Sequence, residues 1–382
     1  MSRLTLPSRA FHSAELGRFA EKICTLLNYE SVLTMNTGAE ATETAIKLAR
    51  KWAYVRKGVP ENHAIVYSVE GCFHGRTIAS ISLSSDDHCR NGFGPFVPLM
   101  GPTVEVPDGE SFNIRFDHAE DLERALELHG KNVAAFILEP IQGEAGIIVP
   151  SSTYLRDVEA LCRRHNVLFI CDEVQAGLGR TGKLLAHQHW GVKPDIVTLA
   201  KALSGGTYPI SAVLSSREIM DCIKPGQHGS TYGGNPLACA VACTALDVLV
   251  EEDLVGRSLR LGEYFRGKLN KLKQISADSD SAERGFVTAV RGLGLMNAID
   301  INPEISKKGR GAWHLCLLMA SKGLLAKPTH EHTIRLAPPL VITEEELDRA
   351  AAIIEESLRE LDQVEDIQDL SVHAGSTTFV SL

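Results

Sequence analysis

A lysine and an aspartate each follow an apolar run in this chain. Lys201 comes directly after Ile196–Ala200, and Asp172 comes shortly after Val167–Ile170. Both runs are typical of buried strands in a parallel sheet, and the carboxyl ends of such strands form the edge where ligands bind. A lysine there supplies an amine for a Schiff base, and a carboxylate can face a protonated pyridine nitrogen. The pair therefore predicts a site for pyridoxal phosphate (PLP).

Each of the two residues also has an ordinary structural interpretation. A lysine beside an apolar run commonly extends its amine into water, and acids after a strand are commonly solvated. The residues after Lys201 favour the functional interpretation, because Ser204-Gly205-Gly206 lets the backbone come close to a ligand. An amine in an apolar pocket can have a lowered pKa and act as a nucleophile and as a base.

Two glycine-containing turns are candidates for binding a phosphate. Thr37-Gly38-Ala39 lies between a predicted strand and a predicted helix, and the amides at a helix start bind anions. The loop 228–236 is rich in glycine and hydroxyl side chains and also enters a predicted helix. In each case the alternative is a plain turn without a ligand, and the residues alone leave both interpretations open.

Further charged residues lie near predicted strand ends. Glu139 and Glu144 follow the apolar run Ala134–Leu138, and Arg335 lies inside another apolar stretch. An arginine in such surroundings is usually paired. We therefore expect Arg335 to meet either an acid of the protein or a carboxylate of a substrate.

The composition is that of an ordinary globular protein. The 382 residues are 44% hydrophobic and 23% charged, and the length is sufficient for about two domains. The net charge of −9 comes without clusters of basic residues, so no nucleic-acid partner is predicted. No apolar stretch approaches the roughly 20 residues that span a bilayer, so no membrane partner is predicted either.

Histidine and cysteine patterns bear on metals and on the compartment. The pairs His187/His189 and His330/His332 lie in polar stretches and do not suit a closed zinc site, so no metal is predicted. The nine cysteines show no C-x-x-C spacing, which suits a reducing compartment. The N-terminus has no apolar signal segment, and we expect a cytoplasmic protein. A mitochondrial matrix location stays open, because a longer N-terminus would hide a transit peptide.

Strand-like and helix-like segments alternate, which predicts an α/β protein with a mostly parallel central sheet flanked by helices. We expect a large domain at 1–252, a smaller C-terminal α+β domain at 253–362 and a disordered tail at 363–382. Thr343 and Glu346 form a capping-box pattern for the last helix. The other predicted helices are Ala14–Leu27, Ala39–Val55, Thr153–His165, Pro236–Glu251, Leu254–Leu272 and Gly311–Lys322. Strand-like segments away from the lysine and aspartate runs are Ser31–Met35, Ala64–Ser68, Ala134–Leu138, Ala212–Leu214, Val287–Ile301 and Thr333–Leu336.

Five motifs occur in a characteristic order along the chain: Asn36–Ala41, Leu138–Gly146, Asp172–Gly182, Lys201–Gly206 and Gly229–Pro236. Together they resemble the class III, fold-type-I PLP-dependent aminotransferases, and the resemblance extends from about residue 3 to about residue 360. It implies the PLP-transferase fold and PLP as the cofactor. Similarity to the subgroup that acts on ornithine lies in Phe93–Phe96, Ile223–Gly229, Leu324–Thr329 and Ala337–Leu340.

The resemblance implies a role for each residue around the cofactor. Lys201 would bond to PLP covalently, and Asp172 would pair with its pyridine nitrogen. Gln175 would reach the 3′ oxygen, and Phe73 would stack on the ring. Gly38-Ala39 would bind the phosphate through backbone amides.

The resemblance also implies how substrates and a second subunit are engaged. Thr231 would bind the phosphate of the neighbouring subunit's cofactor, which implies a homodimer with shared active sites. Arg76 would hold the α-carboxylate of 2-oxoglutarate or glutamate. Glu144 and Arg335 would form a switchable pair, closed for the δ-amino end of ornithine and open for a second carboxylate. Glu139 would be a carboxylate in the pocket wall.

The implied reaction has two halves. L-Ornithine gives its δ-amino group to the cofactor and becomes glutamate 5-semialdehyde, which cyclises to pyrroline-5-carboxylate. The amino group then passes to 2-oxoglutarate and yields glutamate. Transfer from acetylornithine or 4-aminobutyrate, as in other members of the class, is the alternative substrate assignment.

Two departures from the family pattern stand out. The resemblance begins at Arg3, whereas members of the family usually begin earlier, with a portion that supplies dimer contacts and tyrosines near the substrate. A catalytically silent, shortened paralogue is therefore a further alternative. His74 stands beside Phe73 where close relatives commonly have an aromatic residue, so the pocket wall is expected to differ.

Overall fold

The computed structural model describes residues 5–8, 11–107, 109–275, 285–365 and 367. The chain divides into two compact units. The first unit comprises residues 1–143, 150–179 and 183–255, and the second comprises residues 144–149, 180–182 and 256–382. The predicted disordered tail at 363–382 lies almost entirely outside the described residues.

The first unit is built on a seven-stranded sheet with the order β1-β9-β8-β7-β6-β2-β3. Neighbours from β8 to β3 are parallel, whereas β9 runs antiparallel to both β1 and β8. Two further strands, β4 and β5, form a separate antiparallel pair. The strands are β1 (Ser31–Met35), β2 (Ile65–Tyr67), β3 (Met100–Gly101), β4 (Thr103–Glu105), β5 (Ser111–Asn113), β6 (Val133–Leu138), β7 (Leu168–Asp172), β8 (Ile196–Leu199) and β9 (Ser211–Ser215).

The central strands are buried along their whole length, since every residue of β6, β7, β8 and β9 is buried. Such strands carry continuous apolar runs, because both faces of the sheet are covered. This explains why β6, β7 and β8 could be recognised from the sequence. The helices of the first unit are α1 (Ala14–Leu27), α2 (Gly38–Trp52), α3 (Ile78–Ser82), α4 (Asp87–Arg90), α5 (Ala119–His129), α6 (Tyr154–Arg164), α7 (Arg217–Met220) and α8 (Pro236–Glu251).

A single lysine ties three segments of the first unit together. The π-helical turn Ala53–Lys57 extends α2, and the Lys57 ammonium donates to the carbonyls of Gly130 at 2.7 Å, Val133 at 2.8 Å and His165 at 3.1 Å. Gly130 follows α5 and His165 follows α6, so the ammonium satisfies carbonyls beyond two helix ends. Burial lowers the pKa of Lys57 to about 8.

The second unit contains a four-stranded antiparallel sheet with the order β10-β11-β13-β12. Its core includes Phe265, Phe286, Ile299, Leu347 and Ile354, which are at most 2% exposed. The strands are β10 (Val287–Leu293), β11 (Met296–Ile301), β12 (Lys327–Thr329) and β13 (Thr333–Leu336), and the remaining helices are α9 (Leu254–Lys271), α10 (Ala312–Ser321) and α11 (Glu344–Glu360).

Most predicted elements occur within a residue or two of their expected bounds, and the capping box of α11 is present. The strand-like stretch Val287–Ile301 was wrong as a single element. It is a hairpin, because Gly294 (φ 53°) permits the chain to reverse between β10 and β11. Strands β3, β4, β5 and β12 had no clear sequence signal, since each has only two or three residues. Within the described ranges, no helix is long and apolar enough to cross a membrane.

Candidate active site

A cavity of about 470 Å³ opens at the sheet edge where β1, β6, β7 and β8 end and where antiparallel β9 begins. This volume is within the range of roughly 300–1,000 Å³ that is usual for cofactor pockets. All of its walls belong to the first unit. Of the residues expected around the cofactor, those that line the cavity are Gly38, Ala39, Phe73, Glu139, Asp172, Gln175 and Lys201.

Lys201 is the first residue after β8 and has an unusual backbone. Its φ of 43° lies in the left-handed region, which is costly for a residue with a side chain. Such strain is concentrated at functional sites, where the surrounding structure enforces it. The short helix that begins at Lys201 ends at Gly205 (φ 61°), and both glycines that follow Ser204 have positive φ. The two glycines therefore let the chain turn sharply within a few residues of the lysine.

Asp172, the last residue of β7, is held by three donors. Its Oδ1 accepts from the amide of Val174 and from the hydroxyl of Thr198, both at 3.0 Å. Its Oδ2 lies 2.7 Å from Nδ1 of His74. Because the aspartate is only 4% exposed, these contacts replace the water that would otherwise stabilise its charge. They fix the orientation of a carboxylate that lines the cavity.

His74 is buried and donates from Nδ1, since a carboxylate can only accept. Burial by itself would lower the pKa of His74, but the charge of Cys72 and the hydrogen bond and charge of Asp172 outweigh it and raise the pKa well above its usual value. The other ring nitrogen, Nε2, has no hydrogen-bond partner among the described residues. His74 thus supports Asp172 through a buried hydrogen bond and is more than a part of the pocket wall.

Glu139 follows β6 and is also buried, with 2% exposure. Its two oxygens accept from the amide of Phe73 at 2.9 Å and from the amide of Gly143 at 3.0 Å. Burial raises the pKa of Glu139 to about 7, although the charge of His74 and the two amides act in the opposite direction. The carboxyl group therefore joins the loop that carries Phe73 to the loop after β6.

The start of α2 leaves two amides available. The Thr37 hydroxyl accepts from the amide of Glu40 at 3.2 Å, and the Glu40 carboxylate accepts from the amide of Thr37 at 2.8 Å, which forms a capping box. The amides of Gly38 and Ala39 have no acceptor within the helix, because they belong to its first turn. Both residues line the cavity, so their donors and the positive end of the helix dipole suit an anionic group.

Gly38 also packs against the two segments that carry Asp172 and Lys201. A Cβ at Gly38 would lie 3.0 Å from Cγ1 of Val174 and 3.7 Å from Cβ of Ala200. The first residue of α2 thus packs against the segment after Asp172 and against the residue before Lys201. The anion-binding turn, the carboxylate segment and the lysine segment touch one another at this glycine.

Two other glycines allow loops to approach closely. A Cβ at Gly75 (φ 119°) would lie 2.8 Å from Cβ of Ala39, so only glycine lets the loop after Phe73 reach α2. A Cβ at Gly143 would lie 2.6 Å from Oε1 of Gln175. Gln175 therefore packs directly on the backbone after β6.

These features fit PLP. The amides of α2 suit its phosphate, the carboxylate of Asp172 suits a protonated pyridine nitrogen, and Lys201 provides an amine in the same cavity. The remaining expected residues are not part of this wall. Arg76 and Thr231 are exposed, and the Arg76 guanidinium lies 5.9 Å from the centre of the Phe73 ring.

The loop that carries Thr231 is fastened to the start of the α2 region. The amide group of Asn36 donates to the Ser230 hydroxyl at 3.0 Å. His228 contacts Thr44 at 3.0 Å and Lys47 at 2.8 Å, both of which lie on α2. Burial, and then the charge of Lys47, lower the pKa of His228, so the neutral ring suits a contact with an ammonium.

Glu144 and Arg335 belong to the second unit and form the expected ion pair. Arg335 Nη1 donates to Glu144 Oε1 at 2.7 Å. A second cation is present, because Lys327 Nζ lies 3.4 Å from the other carboxylate oxygen of Glu144. The structure therefore adds a residue that the sequence analysis did not single out.

The sequence analysis missed the actual roles of His74, Thr198 and Lys327. Thr198 lies inside the apolar run of β8, where a hydroxyl could have suggested a neighbouring polar group. His74 was noticed only as a change in the wall. Its contact with Asp172 joins positions 98 residues apart, which no local pattern indicates.

Comparison with known proteins defines the class. The family model for class III aminotransferases matches residues 1–358, and the chain belongs to this family. An ornithine aminotransferase of Emericella nidulans is 53% identical over 360 residues, which cover 94% of this chain and 76% of the relative. The predicted family, the PLP-transferase fold of type I, the enzyme class and the PLP cofactor are thereby confirmed.

Solved structures give the same result. The ornithine aminotransferase of Toxoplasma gondii, in which PLP partly occupies the active site, matches with a TM-score of 0.86 at 42% identity over 95% of this chain and 80% of that one. An acetylornithine aminotransferase of Elizabethkingia anophelis matches with a TM-score of 0.80 at 50% identity, over 94% of this chain and 82% of that one. The chain thus shares its fold with aminotransferases of related substrates.

Proposed function

We propose that this protein transfers the δ-amino group of L-ornithine to 2-oxoglutarate, giving glutamate 5-semialdehyde and glutamate. The observation that carries the proposal is the cavity in which Lys201, Asp172 and the amides of α2 come together. Curated relatives at about half identity, named ornithine aminotransferases, support ornithine as the donor. Pyrroline-5-carboxylate would form from the semialdehyde by cyclisation.

PLP, when bound, supplies an electron sink that stabilises negative charge on the carbon that bears the transferred amino group. Lys201 would anchor the cofactor and then move a proton to and from that carbon; the support for this role is that Lys201 lines the cavity and has a strained backbone of the kind found at functional sites. Asp172 holds a proton on the pyridine nitrogen. His74, Thr198 and the Val174 amide keep the Asp172 carboxylate in one orientation.

The family resemblance assigns the remaining contacts with the cofactor. Gly38 and Ala39 bind the phosphate through their amides at the start of α2. Phe73 would stack on the ring, and Gln175 would reach its 3′ oxygen; both residues line the cavity. Thr231 contributes to the phosphate site of a second subunit, so the active form is a homodimer. The exposure of Thr231 in a single chain supports this assignment.

Three charged residues account for the substrates. Arg76 holds the α-carboxylate of 2-oxoglutarate or glutamate. The Glu144–Arg335 ion pair stays closed for the δ-amino end of ornithine. It opens for 2-oxoglutarate or glutamate, and Arg335 then binds the second carboxylate. The 2.7 Å ion pair supports this assignment, because a paired arginine presents no free charge to an amine.

The two half-reactions test the proposal separately. The purified chain is loaded with PLP and mixed with ornithine, and the semialdehyde is trapped; 2-oxoglutarate is then added and glutamate is measured. Lys201→Ala should lose both products, whereas the exposed Lys131→Ala should retain them. Turnover by Lys201→Ala would refute the assignment of this lysine.

The donor is tested by competition between amines. Acetylornithine and 4-aminobutyrate are compared with ornithine at equal concentration, and ornithine should have the highest kcat/KM. Acetylornithine is the second candidate, since the Elizabethkingia anophelis structure is 50% identical to this chain. A preference for acetylornithine would change the assigned amino donor, whereas the PLP-dependent transfer reaction would stay the same. The absence of product from all three donors would contradict the proposed activity.

The cellular location is also part of the proposal. We place the reaction in the cytoplasm, which agrees with nine cysteines of which none forms a disulfide. Fractionation of cells that express the tagged gene product tests this location. Recovery in mitochondria would support the matrix instead.

A further inference from the structure

The Glu144 carboxylate contacts two cations rather than one. Arg335 Nη1 lies 2.7 Å from Oε1, and Lys327 Nζ lies 3.4 Å from Oε2. The three side chains are partly buried, with exposures of 27% for Glu144, 14% for Arg335 and 31% for Lys327. Lys327, Glu144 and Arg335 are called the charge triad below.

The backbone keeps the charge triad together. Lys327 on β12 and Arg335 on β13 are direct partners in the antiparallel register, so their side chains start from adjacent positions. The Thr329 hydroxyl donates to the Glu144 carbonyl at 2.6 Å. This contact holds the backbone of Glu144 next to β12, the strand that carries Lys327.

The segment after Glu144 is also held in place. Arg291 Nε donates to the Gly146 carbonyl at 2.8 Å, and the same guanidinium forms an ion pair with Asp300. Thr333 donates to Asp300 at 2.7 Å. With the main chain held at residues 144 and 146, a change of partner for Glu144 requires only side-chain rotation.

Charge counting within the charge triad gives Lys327 a distinct role. The three side chains carry one negative and two positive charges, so one cation can be given to a ligand while the other still neutralises Glu144. Removing the partner of a partly buried carboxylate is costly. Without Lys327, release of Arg335 would remove both of these cations from Glu144 while a substrate carboxylate approaches it.

We infer that Lys327 is the reserve partner of Glu144, which permits Arg335 to bind the second carboxylate of a dicarboxylate substrate. Lys327 is thus a positioning residue. It would favour the binding of 2-oxoglutarate and glutamate, which have two carboxylates, and would affect an amine donor with one carboxylate much less. The inference rests on the proposed function, because it takes Arg335 as the carboxylate receptor. Beyond the proposed function, the inference assigns Lys327 a role in the half-reaction that uses 2-oxoglutarate and glutamate.

The test uses the PLP-loaded protein and three variants. In Lys327→Gln, the KM for 2-oxoglutarate should rise at least tenfold, while the KM for ornithine changes by a much smaller factor. Lys327→Arg, which keeps the charge, should restore the KM for 2-oxoglutarate. Lys322→Gln is the matched control, since Lys322 is a partly buried, ion-paired lysine of the same unit.

A binding measurement provides a readout that does not depend on turnover. Glutarate is a dicarboxylate without a transferable group, and calorimetry should show its Kd rise about tenfold in Lys327→Gln. In a Glu144→Gln background the same substitution should have no effect on the Kd, because there is no carboxylate left to neutralise. An equal effect in both backgrounds would show that Lys327 acts independently of Glu144 and would overturn the inference.

The outcomes separate this inference from the proposed function. If ornithine gives no product but glutamate does, the proposed donor fails, and the glutarate and glutamate measurements still test Lys327. If ornithine is the donor and Lys327→Gln raises both KM values by the same factor, Lys327 has only a structural role. If neither KM changes, the reserve-partner role is wrong.

Discussion

The free energy of unfolding should depend less on pH when Glu139 is replaced with glutamine, because this carboxyl group destabilises the fold as it ionises. Burial raises the pKa of Glu139 from 4.5 to about 7, against the opposing charge of His74. A carboxyl group with a raised pKa binds its proton more tightly in the folded state than in the unfolded state. Its contribution therefore favours folding at low pH and is lost as the pH rises from about 4.5 towards 7.

The magnitude follows from the two pKa values. With 4.5 for the unfolded chain and about 7 for the folded one, the linkage relation gives a loss of about 1.7 kcal/mol between pH 5 and pH 6.5. His74 lowers stability in the same direction as the pH approaches 6.5, because the unfolded chain begins to release this proton while the raised pKa of the folded protein retains it. The parent and the variant share this component. Glutamine cannot ionise, so the variant should lack the component that comes from Glu139.

The assay is urea unfolding of the cofactor-free chain at pH 5 and at pH 6.5, with tryptophan fluorescence as the signal. Other titrating groups cancel when each variant is compared with the parent chain. Between pH 5 and pH 6.5 the free energy of unfolding should fall in both proteins. The fall should be about 1.7 kcal/mol smaller in Glu139→Gln than in the parent. The exposed Glu127→Gln should follow the parent. Equal pH dependence in Glu139→Gln and the parent would refute the reasoning.

Lys57→Met should lower the free energy of unfolding by about 2–4 kcal/mol in urea titration, because three carbonyls lose a charged donor; an unchanged midpoint would contradict this. Gly75→Ala should raise the Kd for PLP at least tenfold in an absorbance titration, whereas Gly92→Ala, also at positive φ but in open space, should not; equal effects would exclude the close approach as the cause. His74→Phe should raise the Kd for PLP about ten- to a hundredfold, since Asp172 loses a charge-assisted hydrogen bond. His74→Gln, which can still donate a hydrogen bond, should raise the Kd less. An equal rise in both variants would indicate that packing, and not the hydrogen bond, is the cause.

The chemistry-bearing residues at strand ends could be predicted because their signals are local. Lys201 and Asp172 follow continuous apolar runs, and a buried parallel strand requires such a run. Gly38 lies at the junction of a strand and a well-capped helix, which is also a local pattern. Each of these features is contained within about ten residues of sequence.

Contacts between distant segments could not be predicted in the same way. His74 meets Asp172, and Lys327 meets Glu144, only because the fold brings separate loops together. The direction of β9 also needed tertiary information, since a buried strand has the same composition whichever way it runs. The hairpin of β10 and β11 had a signal in Gly292 and Gly294, which was outweighed by the apolar residues around it.

The position of Gly38 has a consequence for how changes in this protein combine. Its backbone lies against Val174 and Ala200, so one substitution there displaces the phosphate turn and also the segments that lead to Asp172 and Lys201. Substitutions in these three places should therefore be non-additive, with interaction energies of about 0.5–3 kcal/mol in a double-mutant cycle. For a protein engineer, the three segments form one exchangeable module, to be replaced together from a single donor sequence rather than residue by residue.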